Sequence, residues 1–243
     1  MANLDRIAHL AQLDGVFPVD KPRDVPFQEV VYTVKRKFNL VKVSHGGSLD
    51  ASASGVFLVL LGDASRIAQS LMCADKTYSA VLRLGVATDT CDVHGRILST
   101  GTAAAAMVDK TAVESAISAQ FLGDAFETRP EFSAILRNGS TSYEVVPTPG
   151  GKPRLVHWYR IAVRSYEPPM LELDMKCAKD ASPRAFAGAL GAELGCGAVL
   201  ESLCRTAHGG FRQAEAVPYE KVLTMNPMDF ASRVVSVPQA VRR

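Results

Sequence analysis

The chain has 243 residues, of which 47% are hydrophobic and 21% charged, and its formal net charge is +2. These proportions are typical of a globular protein and exclude a mainly disordered or fibrous one. At about 150 residues per domain, the length fits one large domain or two small ones.

Several features of the sequence point to a reduced protein inside the cell. The longest strongly apolar stretch, residues 56–61, is far shorter than the roughly 20 residues of a membrane-spanning helix, so we expect no membrane partner. The N-terminus carries acidic residues and lacks the apolar core of a secretory signal. Five cysteines, none of them paired as C-x-x-C, are typical of a reducing compartment. We therefore expect the protein to be located in the cytoplasm, and an organelle is the alternative.

The first part of the chain is predicted to alternate short helices and strands. Apolar residues recur with helical spacing at Val30, Val34 and Phe38, whereas residues 77–85 alternate with the period of a strand. A glycine-bearing loop is predicted over residues 44–55. The predicted elements are a helix at 4–13, strand 15–20, helix 27–38, strand 56–61, helix 64–72 and strand 77–85.

The second part continues this mixed pattern. Thr111 and Glu114 have capping-box spacing at the start of a predicted helix, and Leu171, Leu173 and Met175 alternate as the buried face of a strand. The alanine-rich residues 101–107 give no clear prediction. The predicted elements are a helix at 109–121, a loop at 147–153, strands at 156–166 and 171–177, a helix at 183–194, and a helix or strand at 199–205.

Taken together, these elements predict an α+β fold. Without a strict βαβ rhythm, we expect a mixed, largely antiparallel central sheet flanked by helices. No repeat or linker divides the chain, so residues 1–243 are predicted to form a single domain.

Basic residues cluster in two places in this otherwise balanced chain. Lys35, Arg36, Lys37 and Lys42 lie close together, and the C-terminal third adds further cations that include Arg205. Such clusters bind phosphate in nucleic-acid-binding proteins. The alternative is a solvated helix face.

Motifs for metals and phosphate cofactors are absent. Cys91 and His94 have C-x-x-H spacing, but no second pair stands at a matching distance, so a zinc site is not expected. The glycines of residues 46–55 match neither a P-loop nor a dinucleotide fingerprint. We therefore expect neither a metal nor a cofactor.

Asp50 stands in that loop of small residues, which lets a ligand approach the backbone closely. Its carboxylate is expected to be ionised at neutral pH, and an ionised carboxylate can act as a nucleophile. The alternative is an aspartate that hydrogen-bonds its own turn.

A series of motifs resembles the TruB-type pseudouridine synthases. That family has the general forms DKPxG, VKR, GHTGTLDPxATG, LGxATK, DKxY, LGxxTDTxDxxG, QxPPxYSA, CSxGTYIR and LGxGAHLxxLRRTxxGxF. The corresponding stretches stand in the same order and cover about residues 15–211. They are DKP at 20–22, VKR at 34–36, HGGSLDASASG at 45–55, LGDASR at 61–66, DKTY at 75–78, LGVATDTCDVHG at 84–95, ETRPEFSA at 127–134, CAKDASPR at 177–184 and LGCGAVLESLCRTAHGGF at 194–211.

The resemblance implies catalytic roles for three residues. Asp50 matches the aspartate that attacks the uracil–ribose unit, so that the base detaches, turns and rejoins through carbon. Tyr78 matches the tyrosine that packs on the target base and is a candidate for moving the C5 proton. Arg184 matches the arginine that pairs with the aspartate.

The resemblance also implies substrate-binding residues. Leu203 matches an apolar residue that lines the base pocket, and His45 matches a residue that fills the space left by the extruded nucleotide. Lys21 matches a lysine near the floor of the site, where a structural role is as plausible as a catalytic one.

The chain departs from the family pattern near these residues. Asp24 replaces the glycine after DKP, and Ser44, Gly46 and Ala51 change the loop around Asp50. The remaining departures are Glu127 for glutamine, Arg129 for proline, Leu136 for lysine, and residues 180–183 (DASP) for GTYI.

The resemblance implies an isomerase that acts on RNA, with the T-loop uridine 55 of tRNA as the expected target and a monomer as the expected state. Larger family members append a PUA domain at this end, and we expect none here, because only residues 212–243 follow the last motif. Two alternatives remain: a divergent RNA-binding or assembly protein with reduced or no activity, and a synthase that acts on ribosomal RNA.

Overall fold

The computed structural model describes residues 13–137, 140, 142–148 and 151–243. Its contacts divide the chain into two compact units, Met1–Ala74 with Arg205–Arg243, and Asp75–Cys204. The helix predicted over residues 4–13 lies outside the described residues, except for its last position.

The elements follow one another in a mixed order. Up to residue 127 they are β1 (Gly15–Lys21), α1 (Phe27–Lys37), β2 (Val43–His45), β3 (Ser54–Leu61), a 3₁₀ helix (Gly62–Ile67), α2 (Ala68–Cys73), β4 (Lys76–Leu84), β5 (Val86–Thr88), β6 (Ile97–Thr100), α3 (Thr102–Met107), α4 (Lys110–Gln120) and β7 (Gly123–Glu127). After residue 127 they are β8 (Phe132–Leu136), β9 (Tyr143–Pro147), β10 (Arg154–Glu167), β11 (Met170–Cys177), α5 (Pro183–Glu193), β12 (Ala198–His208), β13 (Phe211–Arg212), a second 3₁₀ helix (Gln213–Glu215), β14 (Val217–Pro218), α6 (Tyr219–Thr224), α7 (Pro227–Ser232) and α8 (Val237–Val241).

The first unit is organised around β3. Both β1 and β2 pair with β3 in antiparallel register, and β14 pairs with β1 in parallel. Val56, Leu58 and Leu60 of β3 are buried together with Val16 and Phe211. These contacts anchor the two ends of the loop that joins β2 to β3.

Helix α1 and the C-terminal residues complete the first unit. α1 buries Val30 and Val34, as its spacing predicts. Just after it, Phe38 stacks on Phe230 of α7, with ring centroids 3.8 Å apart. Residues 212–243 therefore contribute a strand and helices to the first unit.

The second unit is built on the antiparallel strands β4, β11, β10 and β7, with β5–β6 and β8–β9 as separate hairpins. Every second residue of β4, starting at Tyr78, is buried, and so are Leu171, Leu173 and Met175 of β11. Together, the two units confirm the predicted α+β class and the mixed, largely antiparallel strand pairing.

The structure corrects some local predictions. The side chain of Asp109, not of Thr111, caps α4, because it accepts a hydrogen bond from the Ala112 N–H at 2.7 Å. The helix predicted over residues 64–72 begins as a 3₁₀ helix and becomes α-helical at Ala68. Residues 199–205, for which the sequence allowed either a helix or a strand, belong to β12. Residues 102–107, for which the sequence gave no clear prediction, form α3.

Candidate active site

Asp50 lies in the loop of residues 46–53, between β2 and β3. The residue is exposed, and its carbonyl oxygen accepts a hydrogen bond from the Ala53 N–H at 3.1 Å. At the start of the loop, the Gly46 N–H donates to the Leu58 carbonyl at 2.9 Å. The backbone is thus held on both sides of Asp50, while the residue itself faces solvent.

The buried side chain of Arg205 makes hydrogen bonds to the backbone of this loop and of β3. Only 2% of Arg205 is exposed. Its Nη1 donates to the Ser48 carbonyl at 2.9 Å, and its Nε donates to the Val56 carbonyl at 2.8 Å. The guanidinium therefore links the loop, at Ser48, to β3, at Val56. This burial does not fit the surface phosphate contact predicted for Arg205.

Gly55 allows this arrangement, because β3 and the backbone of Arg205 approach closely at that point. A Cβ on Gly55 would overlap the Arg205 carbonyl oxygen, and the φ of Gly55 is +107°, which side chains rarely adopt. A glycine is required at position 55 because the backbone of β3 lies directly against the backbone of Arg205.

Lys21 binds the loop from the end of β1. It is fully buried, and its Nζ donates to the carbonyls of Pro22 at 2.7 Å, Val25 at 2.9 Å and Ala51 at 3.1 Å. Burial lowers the pKa of the ammonium to about 8, against the opposing effect of the Asp50 carboxylate. Lys21 thus ties the residue that follows Asp50 to the strand beneath it.

His45 ends β2 as a half-buried aromatic side chain. Its ring meets Phe27 edge-on, with centroids 5.0 Å apart, and lies 6.0 Å from Phe57. Nδ1 accepts a hydrogen bond from the Gly47 N–H at 3.3 Å, and burial lowers the pKa of the imidazole below its usual value. The ring is therefore neutral at pH 7, which suits packing against a base.

The remaining predicted RNA-binding residues are exposed in the first unit. Lys35, Arg36 and Lys37 form the last turn of α1, where the helix dipole favours positive charge. Lys42 is exposed after the helix, and the Nζ of Lys37 donates to the Leu223 carbonyl at 2.8 Å. This leaves Lys35, Arg36 and Lys42 as the better candidates for contacts with phosphate.

Two predicted base-contacting residues lie on strands of the second unit. Tyr78, on β4, is 7% exposed and stands opposite Met175 of β11. Leu203, on β12, is 9% exposed. Rigid strands fix both side chains, which suits a pocket that must hold a flat base in one orientation.

Arg184 occupies the first turn of α5 and is held by two other segments of the second unit. Its Nη1 donates to the carbonyls of Thr90 at 3.0 Å and Phe132 at 3.4 Å, and its Nη2 donates to the Ser133 hydroxyl at 3.0 Å. Its Nε lies 4.0 Å from a carboxylate oxygen of Asp92. The guanidinium is thus aimed by contacts that surround it.

Asp92 is the buried acid of this second group. Its Oδ1 accepts hydrogen bonds from the Thr90 hydroxyl at 2.8 Å and the His94 N–H at 2.9 Å. Sequence reasoning assigned no role to Thr90, Asp92 or Ser133. Their place in the quoted motifs was the available signal, but their contacts with Arg184 require the fold.

The predicted site residues therefore fall into two groups. Lys21, His45, Asp50 and Arg205 belong to the first unit, and Tyr78, Arg184 and Leu203 belong to the second. Within the described residues, no group of three or more histidine, cysteine, aspartate or glutamate side chains could hold a metal ion. In the same part of the chain, no helix has the length and apolarity needed to cross a membrane.

The family model described as TruB family pseudouridylate synthase (N terminal domain) matches residues 35–182, more than half of the chain. The chain belongs to this TruB family. The resemblance seen in the sequence motifs is thereby confirmed.

Relatives extend the match to almost the whole chain. The tRNA pseudouridine synthase B of Opitutus terrae is 34% identical over 233 residues, which are 94% of this chain and 95% of the relative. The proteins of the same name from Syntrophotalea carbinolica and Dechloromonas aromatica are each 34% identical, and each match covers 75% of the relative. The matches cover 95% and 93% of this chain, respectively.

Solved structures share the fold. A chain from a crystal structure of a Cbf5-Nop10-Gar1 complex superposes with a TM-score of 0.69 at 23% identity, over 97% of this chain and 63% of that chain. A chain from an H/ACA RNP bound to a substrate RNA containing 2'-deoxyuridine gives a TM-score of 0.67 at 22% identity, over 95% of this chain and 61% of that one. This TruB-family chain thus spans about three-fifths of their length, and the predicted pseudouridine-synthase-like fold is confirmed.

Several departures from the family motifs lie in contact with one another. The Ser182 N–H donates to Oε1 of Glu127 at 2.8 Å. The Nη2 of Arg129 donates to the Asp180 carbonyl at 2.9 Å and lies 3.7 Å from its carboxylate. The replaced residues of two distant motifs therefore contact one another just before α5. We call these contacts, of Glu127 with Ser182 and of Arg129 with Asp180, the joint.

Proposed function

We propose that this chain is an RNA pseudouridine synthase that converts uridine 55 in the T-loop of tRNA to pseudouridine, with Asp50 as the nucleophile. The observation that carries the proposal is an exposed Asp50 on a loop fastened by buried Arg205 and Lys21, in a chain of the TruB family. The names of the relatives in Opitutus terrae and the other bacteria support tRNA as the substrate.

The reaction begins with extrusion of the uridine, because the reacting atoms are inaccessible inside an RNA stack. We propose that Tyr78 packs on the flipped base, where stacking contributes roughly 1–3 kcal/mol, and that Leu203 lines the same pocket. His45, neutral and half-buried, fills the space that the nucleotide leaves.

Asp50 then attacks the uracil–ribose unit. The bond from N1 of the base to C1' of the ribose breaks, the base turns, and C5 bonds to C1'. The bond between Asp50 and the substrate breaks again in this sequence, so the free carboxylate is regenerated. The C5 proton leaves, with Tyr78 as the candidate to move it, and N1 gains a proton. The product is an isomer of the substrate, so the balance requires neither an oxidant nor a group donor.

Arg184 supplies the positive charge of the site. A guanidinium that is already held at Thr90, Phe132 and Ser133 loses little side-chain freedom when it acts. We propose that this guanidinium stabilises negative charge during the reaction, in agreement with the carboxylate partner that the family resemblance implies for Arg184.

The RNA backbone is proposed to lie along Lys35, Arg36 and Lys42, which are exposed in the first unit. Each phosphate contact would release counterions and make binding dependent on salt. We further propose that the chain acts as a monomer in the cytoplasm, with residues 1–243 as a single catalytic domain.

The test of this function uses an unmodified tRNA transcript carrying tritium at C5 of its uridines. Formation of pseudouridine releases the tritium, because C5 loses its hydrogen. We expect release from wild-type tRNA, no release when uridine 55 is replaced by cytidine, and none with Asp50→Asn. Asp63→Asn is the matched control, because Asp63 is an exposed acid of the same unit that pairs with Arg66 at 3.5 Å.

Three outcomes would contradict the proposal. Activity of Asp50→Asn within about tenfold of wild type, a barrier change of only about 1.4 kcal/mol, would remove Asp50 from the mechanism. Tight tRNA binding without any release at excess enzyme would favour the RNA-binding or assembly role. Release from ribosomal RNA fragments but not from tRNA would favour the other substrate.

A further inference from the structure

The joint between the end of β7 and the start of α5 stands apart from the contacts that hold Arg184 directly. Glu127, the last residue of β7, accepts the Ser182 N–H through Oε1 at 2.8 Å. Two residues later, Arg129 holds the carbonyl and the carboxylate of Asp180. Both contacts end on the segment that leads into α5.

The backbone of residues 180–182 has a conformation that its own local hydrogen bonds hold only weakly. Asp180 has a φ of +68°, in the left-handed region that glycine adopts with less strain. The cap of α5 is weak, since the Ser182 hydroxyl accepts the Ala185 N–H at the long distance of 3.3 Å. Glu127 and Arg129 hold this segment with one hydrogen bond to each of two backbone groups.

Apolar packing holds one face of the start of α5, where Pro183, Ala185 and Phe186 are buried and Phe186 contacts Phe121 and Trp158. A cavity of about 410 Å³ lies between α5 and the strands β7 and β10, lined among others by Glu127, Val156, Trp158, Ala185 and Phe186. Unfilled space there means that fewer van der Waals contacts fix the first turn of the helix. Apolar contacts thus fix the buried face of the helix, and the two polar contacts add a fixed position for the backbone of residues 180–182 in front of it.

Arg184 follows Ser182 by two residues, and its other partners lie just downstream of Arg129. The Phe132 carbonyl and the Ser133 hydroxyl, which accept from its guanidinium, belong to β8. One short stretch of chain thus fixes the backbone in front of Arg184 through Glu127 and Arg129, and the guanidinium itself through β8.

We propose that Glu127 and Arg129 are positioning residues that set the direction of Arg184 in this chain. The inference rests on the proposed role of Arg184 in catalysis. Neither residue is assigned a contact with RNA. Their loss is therefore expected to lower the rate at saturating RNA and to leave affinity nearly unchanged.

The ionisation of Glu127 gives the joint a pH dependence. Glu127 is 8% exposed, and burial raises the pKa of its carboxyl to about 7, against the effects of the Ser182 N–H and the Arg129 guanidinium. The other groups that face it are the Asp180 carboxylate, which favours the protonated form, and the thiol of Cys177. Below pH 7 the carboxyl gains a proton and attracts Arg129 less, so the rate falls there.

The test compares Glu127→Ala, Glu127→Gln and Arg129→Ala with the wild type in single-turnover tritium release at saturating tRNA. Because misplacement of a catalytic group by about 1 Å can cost on the order of 100-fold, we expect Glu127→Ala and Arg129→Ala to slow the reaction about tenfold or more. Affinity for tRNA should stay within about threefold. Glutamine keeps the acceptor for Ser182 but carries no charge at any pH. Glu127→Gln should therefore be faster than Glu127→Ala, should have at every pH about the reduced rate that the wild type reaches below pH 7, and should lack the decline of the wild type below pH 7.

Arg164→Ala is the control, because this exposed arginine pairs with Glu172 at 3.0 Å in the same unit and should leave the rate unchanged. Unaltered rates in both alanine variants would overturn the inference, and so would a Glu127→Gln variant as slow as Glu127→Ala. If Glu127→Ala fails to fold, Arg129→Ala and the pH profile of Glu127→Gln give the same decision.

A second readout separates the inference from the proposed function. The Nε–H signal of Arg184 in an arginine NMR spectrum is assigned by its loss in Arg184→Lys. We expect this signal to shift or broaden in Glu127→Ala and to change less in Glu127→Gln, which keeps the acceptor for Ser182, whether or not tRNA is modified. An inactive wild type with this pattern would overturn only the function, whereas an active wild type with an unmoved signal would overturn the positioning role.

Discussion

Replacement of Arg205 by methionine separates two roles for this residue. The side chain donates to the Ser48 and Val56 carbonyls from a site that is 2% exposed. Methionine keeps an apolar stem of similar length and removes both donors. If Arg205 binds phosphate, the variant should lose RNA affinity; if Arg205 holds the Asp50 loop in place, the variant should lose stability instead.

The magnitude follows from the two hydrogen bonds. Each bond from a charged donor contributes about 1.5–3 kcal/mol, and removal of the buried charge returns part of that sum. We therefore expect Arg205→Met to lower the free energy of unfolding by about 3–5 kcal/mol. With a urea dependence of about 2 kcal/mol per molar, the midpoint falls by roughly 1.5–2.5 M.

Urea unfolding followed by circular dichroism measures this change, and tRNA titrations at several salt concentrations measure the other role. We expect a lower midpoint, a lower rate at saturating tRNA because the Asp50 loop is released, and an unchanged salt slope. Arg212→Ala, at an exposed arginine of the same unit, controls for the loss of one charge. An unchanged midpoint with a slope flattened by about 0.7–0.9 would refute the fastening role.

Further predictions concern charge, protonation and close packing. Lys35→Ala combined with Arg36→Ala should weaken binding of all RNAs and flatten the salt slope by about 1.4–1.8, with little change in the rate at saturation; an unchanged slope would place the RNA elsewhere. Glu127 has a pKa of about 7 in the folded chain against 4.5 when free, so the folded state binds more protons and its contribution to stability declines as pH rises from 4.5 to 7. Unfolding of Glu127→Gln across this range should lack that decline, of about 3 kcal/mol, and a parallel decline in the variant would contradict the assignment. Gly55→Ala should destabilise by about 2–5 kcal/mol, while Gly123→Ala, also at positive φ but with open space around it, should cost only about 1 kcal/mol; equal losses would remove the close approach as the cause.

Local periodicity was sufficient to predict the elements in which the apolar residues that form the pattern are also the residues buried in the fold. The alternation of Tyr78 with its neighbours in β4, and of Leu171, Leu173 and Met175 in β11, predicted strands with one buried face, and the structure has them. The spacing of Val30 and Val34 likewise predicted α1. In these segments the residues that form the pattern are also the residues that pack, so a short window of sequence contains the physical cause.

Where two local signals compete, the sequence left the outcome open. The capping-box spacing pointed to Thr111, and only the structure shows that the side chain of Asp109 accepts the hydrogen bond. Residues 199–205 fitted a helix or a strand, and they form strand β12 because it pairs with β4, which is distant in the sequence. Small differences in local preference are overridden by contacts with residues far along the chain.

The chemistry of the site divides in the same way. Family motifs identified Asp50, Tyr78 and Arg184 as candidates from the sequence alone. Charge by itself grouped Arg205 with the phosphate-binding cations, because a sequence does not show which arginine is buried beneath a loop. Only the tertiary structure brings Arg205 to the carbonyls of Ser48 and Val56, since that contact depends on β12 running next to β3, about 150 residues away in the sequence.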